Sequence, residues 1–161
     1  MRWPGVALGT TVAAALATGT LVRTPVWKDD LSLFRETASK TDAYLVWNNL
    51  GLAYAARGMT SEALAQYRNA LRVNPAAVKT YNNMGIALGR AGRTAEAVDW
   101  LESAVRMAPH LAEAHNNLGI ALEGLGRRSE AIAHYREALR LKPGFPDAAH
   151  NLQQALRLPA R

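Results

Sequence analysis

The chain has 161 residues, of which 49% are hydrophobic and 20% charged, a composition typical of a globular protein rather than a disordered one. It contains no cysteine, which excludes disulfides and thiolate metal sites. The net charge of +6 raises the question of nucleic acid, but the basic residues are dispersed and many fall late in predicted helices, where a cation complements the helix dipole. We therefore expect no nucleic-acid partner.

The first predicted segment, residues 1–28, contains 20 residues without a charge, from Trp3 to Val22. A helix of that length rises about 30 Å, the thickness of the hydrocarbon core of a bilayer. The segment therefore predicts a transmembrane or signal-anchor helix that binds a membrane through residues 3–22. Two alternatives stay open: a signal peptide with Ala15-Leu16-Ala17 as its cleavage site, and a soluble helix.

Residues 29–43 predict a short connecting amphipathic helix that Asp29 or Asp30 can cap. Three units of 34 residues follow, and they occupy residues 44–77, 78–111 and 112–145. Residues 146–161 predict a capping helix and tail. In that helix we expect Ala149, Leu152 and Leu156 to face inward.

The repeat is visible in WNNLG, YNNMG and HNNLG, which begin at residues 47, 81 and 115. A period of 34 residues predicts an array of helix–turn–helix units. Places are counted here from the first residue of each unit. The seventh and eighth places hold an apolar residue and a glycine: Leu50-Gly51, Met84-Gly85 and Leu118-Gly119. A turn glycine follows in each unit: Gly58, Gly92 and Gly126.

The second helix of each unit is predicted to open near a hydroxyl side chain that caps it, at Thr60-Ser61, Thr94 and Ser129. Alanine recurs at two places of this helix, at Ala63, Ala97 and Ala131 and at Ala70, Ala104 and Ala138. Each unit ends at a proline: Pro75, Pro109 and Pro143.

These residues resemble the tetratricopeptide repeat. The resemblance implies an all-α fold, a right-handed superhelical solenoid in which each unit is a helical hairpin. Glycine and alanine let the two helices of a hairpin approach closely, and neighbouring units bury the apolar faces that one unit leaves exposed. Three units are about the minimum for stability.

In tetratricopeptide superhelices the second, fifth, sixth, ninth and thirteenth places of the first helix line a concave groove. The resemblance thus implies a peptide-binding groove that contains asparagines, an apolar strip and two cations. Its residues are Asn49, Asn83, Asn117, Asn151, Asn48, Asn82, Asn116, Leu52, Ile86, Ile120, Lys79 and Arg90.

Asparagine is a poor helix former, so its repeated use in the first helices requires a reason. A carboxamide has both donors and an acceptor and can pair with the backbone of an extended peptide. The arrangement is similar to the asparagine ladder of the tetratricopeptide region of O-linked N-acetylglucosamine transferase. The alternative is that these amides bond to neighbouring helices and hold the superhelical pitch.

Repeats that clamp a C-terminal carboxylate of a chaperone carry Lys and Asn where this sequence has Asn48 and Leu52. The sequence therefore argues against that class of partner. We also expect no metal site, because the histidines lack the spacing of a helical zinc pair. No phosphate-binding loop or nucleophile with a base is evident. We predict no active site, no cofactor and no small-molecule substrate, and His115 is expected to have a packing role.

The junction before the repeats resembles the C-terminal part of transmembrane, tetratricopeptide-repeat O-mannosyltransferases and their bacterial relatives. The matching residues are Arg23, Trp27, Asp29, Leu31 and Phe34. This resemblance implies repeats on the extracytoplasmic face of the membrane, in the periplasm or a lumen. Cleavage of the first segment would instead give a secreted protein.

The sequence thus predicts a membrane-anchored scaffold that binds an extended polypeptide in its groove and is not an enzyme. One alternative is the substrate-recognition region of an O-mannosyltransferase-like glycosyltransferase, without the catalytic spans. The other is RNA binding by a related helical repeat, which the alanine and proline signature disfavours.

Overall fold

A computed structural model describes residues 44–157, which form seven α-helices and no strand. The helices are α1 (Tyr44–Ala55), α2 (Thr60–Val73), α3 (Val78–Arg90), α4 (Thr94–Met107), α5 (Ala112–Gly124), α6 (Arg128–Leu141) and α7 (Pro146–Arg157). The predicted membrane segment and connecting helix lie outside the described residues. Among α1 to α7, none has the length and hydropathy needed to cross a bilayer.

The helices pack as three hairpins, α1 with α2, α3 with α4 and α5 with α6. Each second helix also packs against the first helix of the next unit. First helices contact each other from unit to unit, whereas the second helices of the described units do not. The stack therefore curves, with the first helices on its inner side, and the predicted all-α solenoid is confirmed.

The eighth-place glycines set the distance between the two helices of each hairpin. A Cβ atom added at Gly51 or Gly85 would lie 2.4 Å from an atom of the side chain opposite, and one added at Gly119 would lie 2.5 Å away. Real Cβ atoms do not approach that closely, so only glycine fits there. The alanines at the two recurrent small places are all fully buried, as the sequence predicts.

The turn glycines have a backbone conformation that other residues avoid. The φ angles of Gly58, Gly92 and Gly126 are +73°, +77° and +76°. In each turn, the N–H of the residue after the glycine donates to a carbonyl in the last part of the preceding helix, at 2.9 to 3.0 Å. This geometry ends the first helix and reverses the chain.

The predicted hydroxyl caps of the second helices are wrong. The N-cap residues are Met59, Arg93 and Arg127, and no side chain caps a helix there. The hydroxyl residues follow the cap and already lie inside the first turn. Instead, Arg93 donates two hydrogen bonds of 2.6 Å to the carboxylate of Glu96. Arg127 makes the same contact at the start of α6.

The predicted inward face of α7 is also wrong in part. Ala148 and Ala155 are its buried residues, whereas Ala149 is exposed and Leu156 is 55% exposed. Among the seven described helices, α7 packs against α5 and α6 alone. Leu156 holds a place that packs inside a hairpin in the other units, and no second helix covers it among the described residues.

Candidate functional site

Paired asparagines join the inner helices of neighbouring units. The sixth-place amide nitrogen of one unit donates to the fifth-place amide oxygen of the unit before it. The pairs are Asn83 to Asn48 at 3.1 Å, Asn117 to Asn82 at 2.9 Å and Asn151 to Asn116 at 3.0 Å. We call these six residues the asparagine ladder. Because the pairs repeat at each junction, they hold successive first helices in one fixed relation.

Two of the fifth-place asparagines are buried between neighbouring units rather than exposed on the inner surface. Asn48 is 7% exposed and Asn116 is 4% exposed, and the oxygen of Asn48 also accepts from the Thr80 hydroxyl at 3.1 Å. The predicted place of Asn48 and Asn116 on the groove floor is therefore corrected. The neighbouring unit covers them and takes their acceptor. Asn82 is half-buried.

The sixth-place asparagines keep a surface toward solvent. Asn49, Asn83, Asn117 and Asn151 are all half-buried. Each pair in the ladder uses one N–H of the sixth-place amide. A carboxamide has a second N–H and an oxygen with two lone pairs, so each of these side chains retains groups that can bind a ligand.

The ninth places supply apolar surface beside the amides. Leu52 is 40% exposed and Ile120 is 49% exposed, while Ile86 is half-buried. These side chains lie on the first helices, as the asparagines do. The inner wall thus combines uncharged polar groups with an exposed apolar strip.

A pocket of about 480 Å³ opens between the second and third units. Helices α3 and α5 form its walls, and α4 contributes Thr94 and Leu101. Four predicted groove residues line it, and so do three glycines and an alanine. The lining residues are Ile86, Arg90, Asn117, Ile120, Gly85, Gly89, Gly124, Ala121, Thr94 and Leu101.

The family model described as "Tetratricopeptide repeat" matches residues 42–110 and 77–143, which together are more than half of the chain. The chain belongs to the tetratricopeptide-repeat family. Together the two matched ranges cover the three hairpins, from α1 to α6.

Solved structures agree with this assignment. MamA is 18% identical, with a TM-score of 0.75 over 94% of this chain and 84% of MamA. The Arabidopsis OM64 tetratricopeptide domain is 25% identical, with a TM-score of 0.68 over 71% of this chain and 95% of that domain. The first such domain of Spaghetti (RPAP3), bound to the HSP90 peptide SRMEEVD, is 24% identical, with a TM-score of 0.68 over 71% and 90%. A search of curated protein sequences gave no match.

The two predicted cations of this tetratricopeptide-repeat chain have different surroundings. Lys79 is exposed and lies near Glu113, whose carboxylate accepts a hydrogen bond of 2.9 Å from Lys142. That hydrogen bond, and to a smaller extent the charge of Lys79, holds the pKa of Glu113 below its ordinary value. Arg90 is exposed and forms no ion pair with any of the residues 44–157. Arg90 is therefore the better candidate for an acidic ligand group.

A histidine pair in the third unit replaces an aromatic pair in the second. Tyr81 and Trp100 contact each other with ring centroids 5.5 Å apart, and 34 residues later His115 and His134 do so at 5.2 Å. The two Nδ1 atoms are 3.0 Å apart, and Nε2 of His115 is 3.0 Å from the Pro109 carbonyl oxygen. Burial and then the neighbouring His115 lower the pKa of His134.

The buried position of His115 confirms its predicted packing role. Its pairing with His134 was not predicted, although the repeat frame contains the signal, since Tyr81 and Trp100 have the same separation along the chain. Within residues 44–157, no three histidine or acidic side chains are grouped so as to hold a metal ion.

Proposed function

We propose that this chain is a protein-interaction scaffold that binds an extended polypeptide along the inner faces of α1, α3 and α5. One observation carries the proposal: the sixth-place amides retain free hydrogen-bonding groups at each junction, next to exposed apolar side chains. An extended polypeptide presents backbone donors and acceptors along its whole length and alternates its side chains between two sides. The amides bind the backbone, and the ninth-place side chains contact alternate side chains of the ligand.

The peptide bound to the Spaghetti domain supports a peptide as the class of ligand. That peptide is not itself the ligand proposed for this chain. The places where a carboxylate clamp requires lysine and asparagine hold Asn48 and Leu52 here, and Asn48 is buried in the ladder. The proposed ligand is therefore held along its backbone rather than by a terminal carboxylate.

The test compares the two members of one asparagine pair. A library of random 12-residue peptides displayed on phage is selected on the full chain, and the most enriched peptide is synthesised for fluorescence anisotropy. Both Asn48→Ala and Asn83→Ala break the hydrogen bond between these residues, but only Asn83→Ala removes a groove amide. We expect Asn83→Ala to weaken binding about five- to tenfold, the effect of one lost hydrogen bond, and Asn48→Ala to weaken it less than about twofold.

Stability should change in the opposite order. Asn48→Ala also leaves the fully buried Thr80 hydroxyl without its acceptor, so it should lower the free energy of unfolding more than Asn83→Ala does. General destabilisation cannot produce this reversal. Equal loss of peptide binding in the two variants would mean that the amides act only through the curvature of the stack. Selection that enriches no peptide would refute the scaffold proposal.

We further propose that residues 3–22 attach the chain to a membrane and that the repeats are extracytoplasmic, in the periplasm or a lumen. The uncharged stretch and the junction around Arg23 and Trp27 support this. Carbonate extraction and protease protection of the full chain test both points. Release by carbonate would refute anchoring, and a mature chain that starts after residue 17 would indicate a secreted protein.

The same junction motivates a second candidate, the substrate-recognition region of an O-mannosyltransferase-like glycosyltransferase. In that case the groove would hold the acceptor polypeptide and another protein would supply the catalytic spans. A neighbouring reading frame that encodes a multi-span protein with acidic residues in its first loop would favour this candidate. Unrelated neighbours would count against it.

A further inference from the structure

The pocket between the second and third units exists because small residues coincide there. Gly89 and Gly124 hold the twelfth place of the second unit and the thirteenth place of the third. At the preceding junction the same two places hold Ala55 and Arg90. A Cβ atom added at Gly89 would meet only the Ala97 Cβ, at 3.9 Å, so the space beside this glycine is open.

The pocket is also deeper because the side chain at its floor is smaller than in the other units. Leu101 holds the place at which the first and third units carry Tyr67 and Tyr135. Leu101 is 2% exposed and contributes a short aliphatic side chain where the other units contribute a ring. Two glycines, and a leucine where the other units have tyrosine, thus meet at one junction, and the space left is about 480 Å³, within the size range of ligand pockets.

The lining is mainly apolar, with an exposed cation, Arg90, and two uncharged polar side chains, Thr94 and Asn117. Ile86, Leu101, Ile120 and Ala121 provide the apolar surface. Arg90 is exposed and makes no ion pair with another described residue. A guanidinium presents several N–H groups in a fork that matches a carboxylate.

We propose that this pocket is the specificity site of the groove: it binds one large aromatic side chain of the polypeptide, and Arg90 binds a carboxylate beside that side chain. This inference rests on the proposed function. An aromatic side chain buries more apolar area than any other and fits a wide pocket with glycine in its walls. The carboxylate complements the one cation among the lining residues.

The probes for this site are N-acetyl-L-tryptophan, which carries an indole and a carboxylate, and N-acetyl-L-tryptophanamide, which lacks the charge. Binding is followed on the full chain by the NMR signals of isoleucine methyl groups. The chain has three isoleucines. Ile86 and Ile120 line the pocket, and Ile132, on α6, is an internal control.

We expect N-acetyl-L-tryptophan to shift the methyl signals of Ile86 and Ile120 and to leave that of Ile132 in place. N-acetyl-L-tryptophanamide should bind about two- to fivefold more weakly, because it lacks the carboxylate and an exposed charge pair contributes only modestly. Arg90→Gln should remove this difference between the probes while preserving the binding of the amide. Shifts confined to Ile132, or a difference that persists in Arg90→Gln, would overturn the proposal.

Gly89→Leu fills the pocket without a clash at its Cβ and should abolish binding of both probes. Ala55→Leu is the matched control, since it adds the same side chain at the same place of the first unit and should leave N-acetyl-L-tryptophanamide, whose binding does not use Arg90, bound. If Gly89→Leu binds the probes as the unchanged chain does, the pocket proposal fails. Failure of the groove proposal is measured separately by Asn83→Ala, whose side chain does not line the pocket.

Discussion

Gly119→Ala tests the close approach of helices on which each hairpin depends. The new Cβ would lie 2.5 Å from Cε1 and 2.7 Å from Cδ1 of Tyr135. The Tyr135 ring is 1% exposed, and its hydroxyl donates to the Glu123 carboxylate at 3.0 Å, so movement of the ring sacrifices both packing and a hydrogen bond. The substitution must therefore strain the hairpin.

The magnitude follows from two opposing terms. Overpacking of a core costs typically about 1–3 kcal/mol. Replacing glycine by alanine within a helix contributes up to about 1 kcal/mol of stability. We expect the free energy of unfolding of Gly119→Ala to fall by about 1–2 kcal/mol, as measured by urea denaturation followed by circular dichroism.

Gly89→Ala is the matched control, because its Cβ meets no atom closer than 3.9 Å. This variant should be as stable as the unchanged chain or gain up to about 1 kcal/mol from helix propensity. Adding Tyr135→Ala to Gly119→Ala removes the clash, so Gly119→Ala should cost little in that background. A Gly119→Ala variant as stable as the unchanged chain would refute the argument that ring contact dictates glycine.

Two further predictions concern buried polar groups. The buried hydroxyl of Tyr67 has no hydrogen-bond partner among residues 44–157, and Ala55 holds the place at which Glu123 accepts from the equivalent tyrosine. Ala55→Glu should therefore supply the acceptor and raise the urea midpoint by the equivalent of about 1 kcal/mol. A lower midpoint would contradict the pairing. The pKa of His134 is depressed from 6.5 by burial and by His115, so the unfolded chain binds more protons near that pH. Stability should therefore fall as the pH is lowered through about 6.5 and level off below the folded pKa, and His134→Gln should flatten this dependence in urea titrations.

The fold was predictable from the sequence because one period carries most of the information. The glycine at the eighth place is required by a close contact between helices, and the glycine in the turn by a positive φ angle. The buried positions follow from the same frame. Helix starts were less predictable: at Thr94 the cap lies one residue earlier, at Arg93, and a shift of one residue exchanges a capping hydroxyl for one inside the helix.

The candidate site was predictable only in part. Helical periodicity places the fifth and sixth residues in adjacent directions, but it does not show which of them the neighbouring unit covers. Asn48 and Asn83 form their pair across a separation of 35 residues, which depends on how the units stack. The pocket was missed because it depends on the absence of side chains at Gly89 and Gly124, which lie in different units.

The asparagine ladder and the proposed polypeptide ligand would use different groups of the same amides. Asn83 donates one N–H to Asn48 and has its oxygen and second N–H available for a polypeptide. The two contacts use different groups of one planar amide, so binding of a polypeptide does not require the pair between the first and second units to break. Glutamine at this place would retain the donors and the acceptor but would move them by a methylene, away from Asn48, so the pair itself accounts physically for asparagine in a helix that disfavours it.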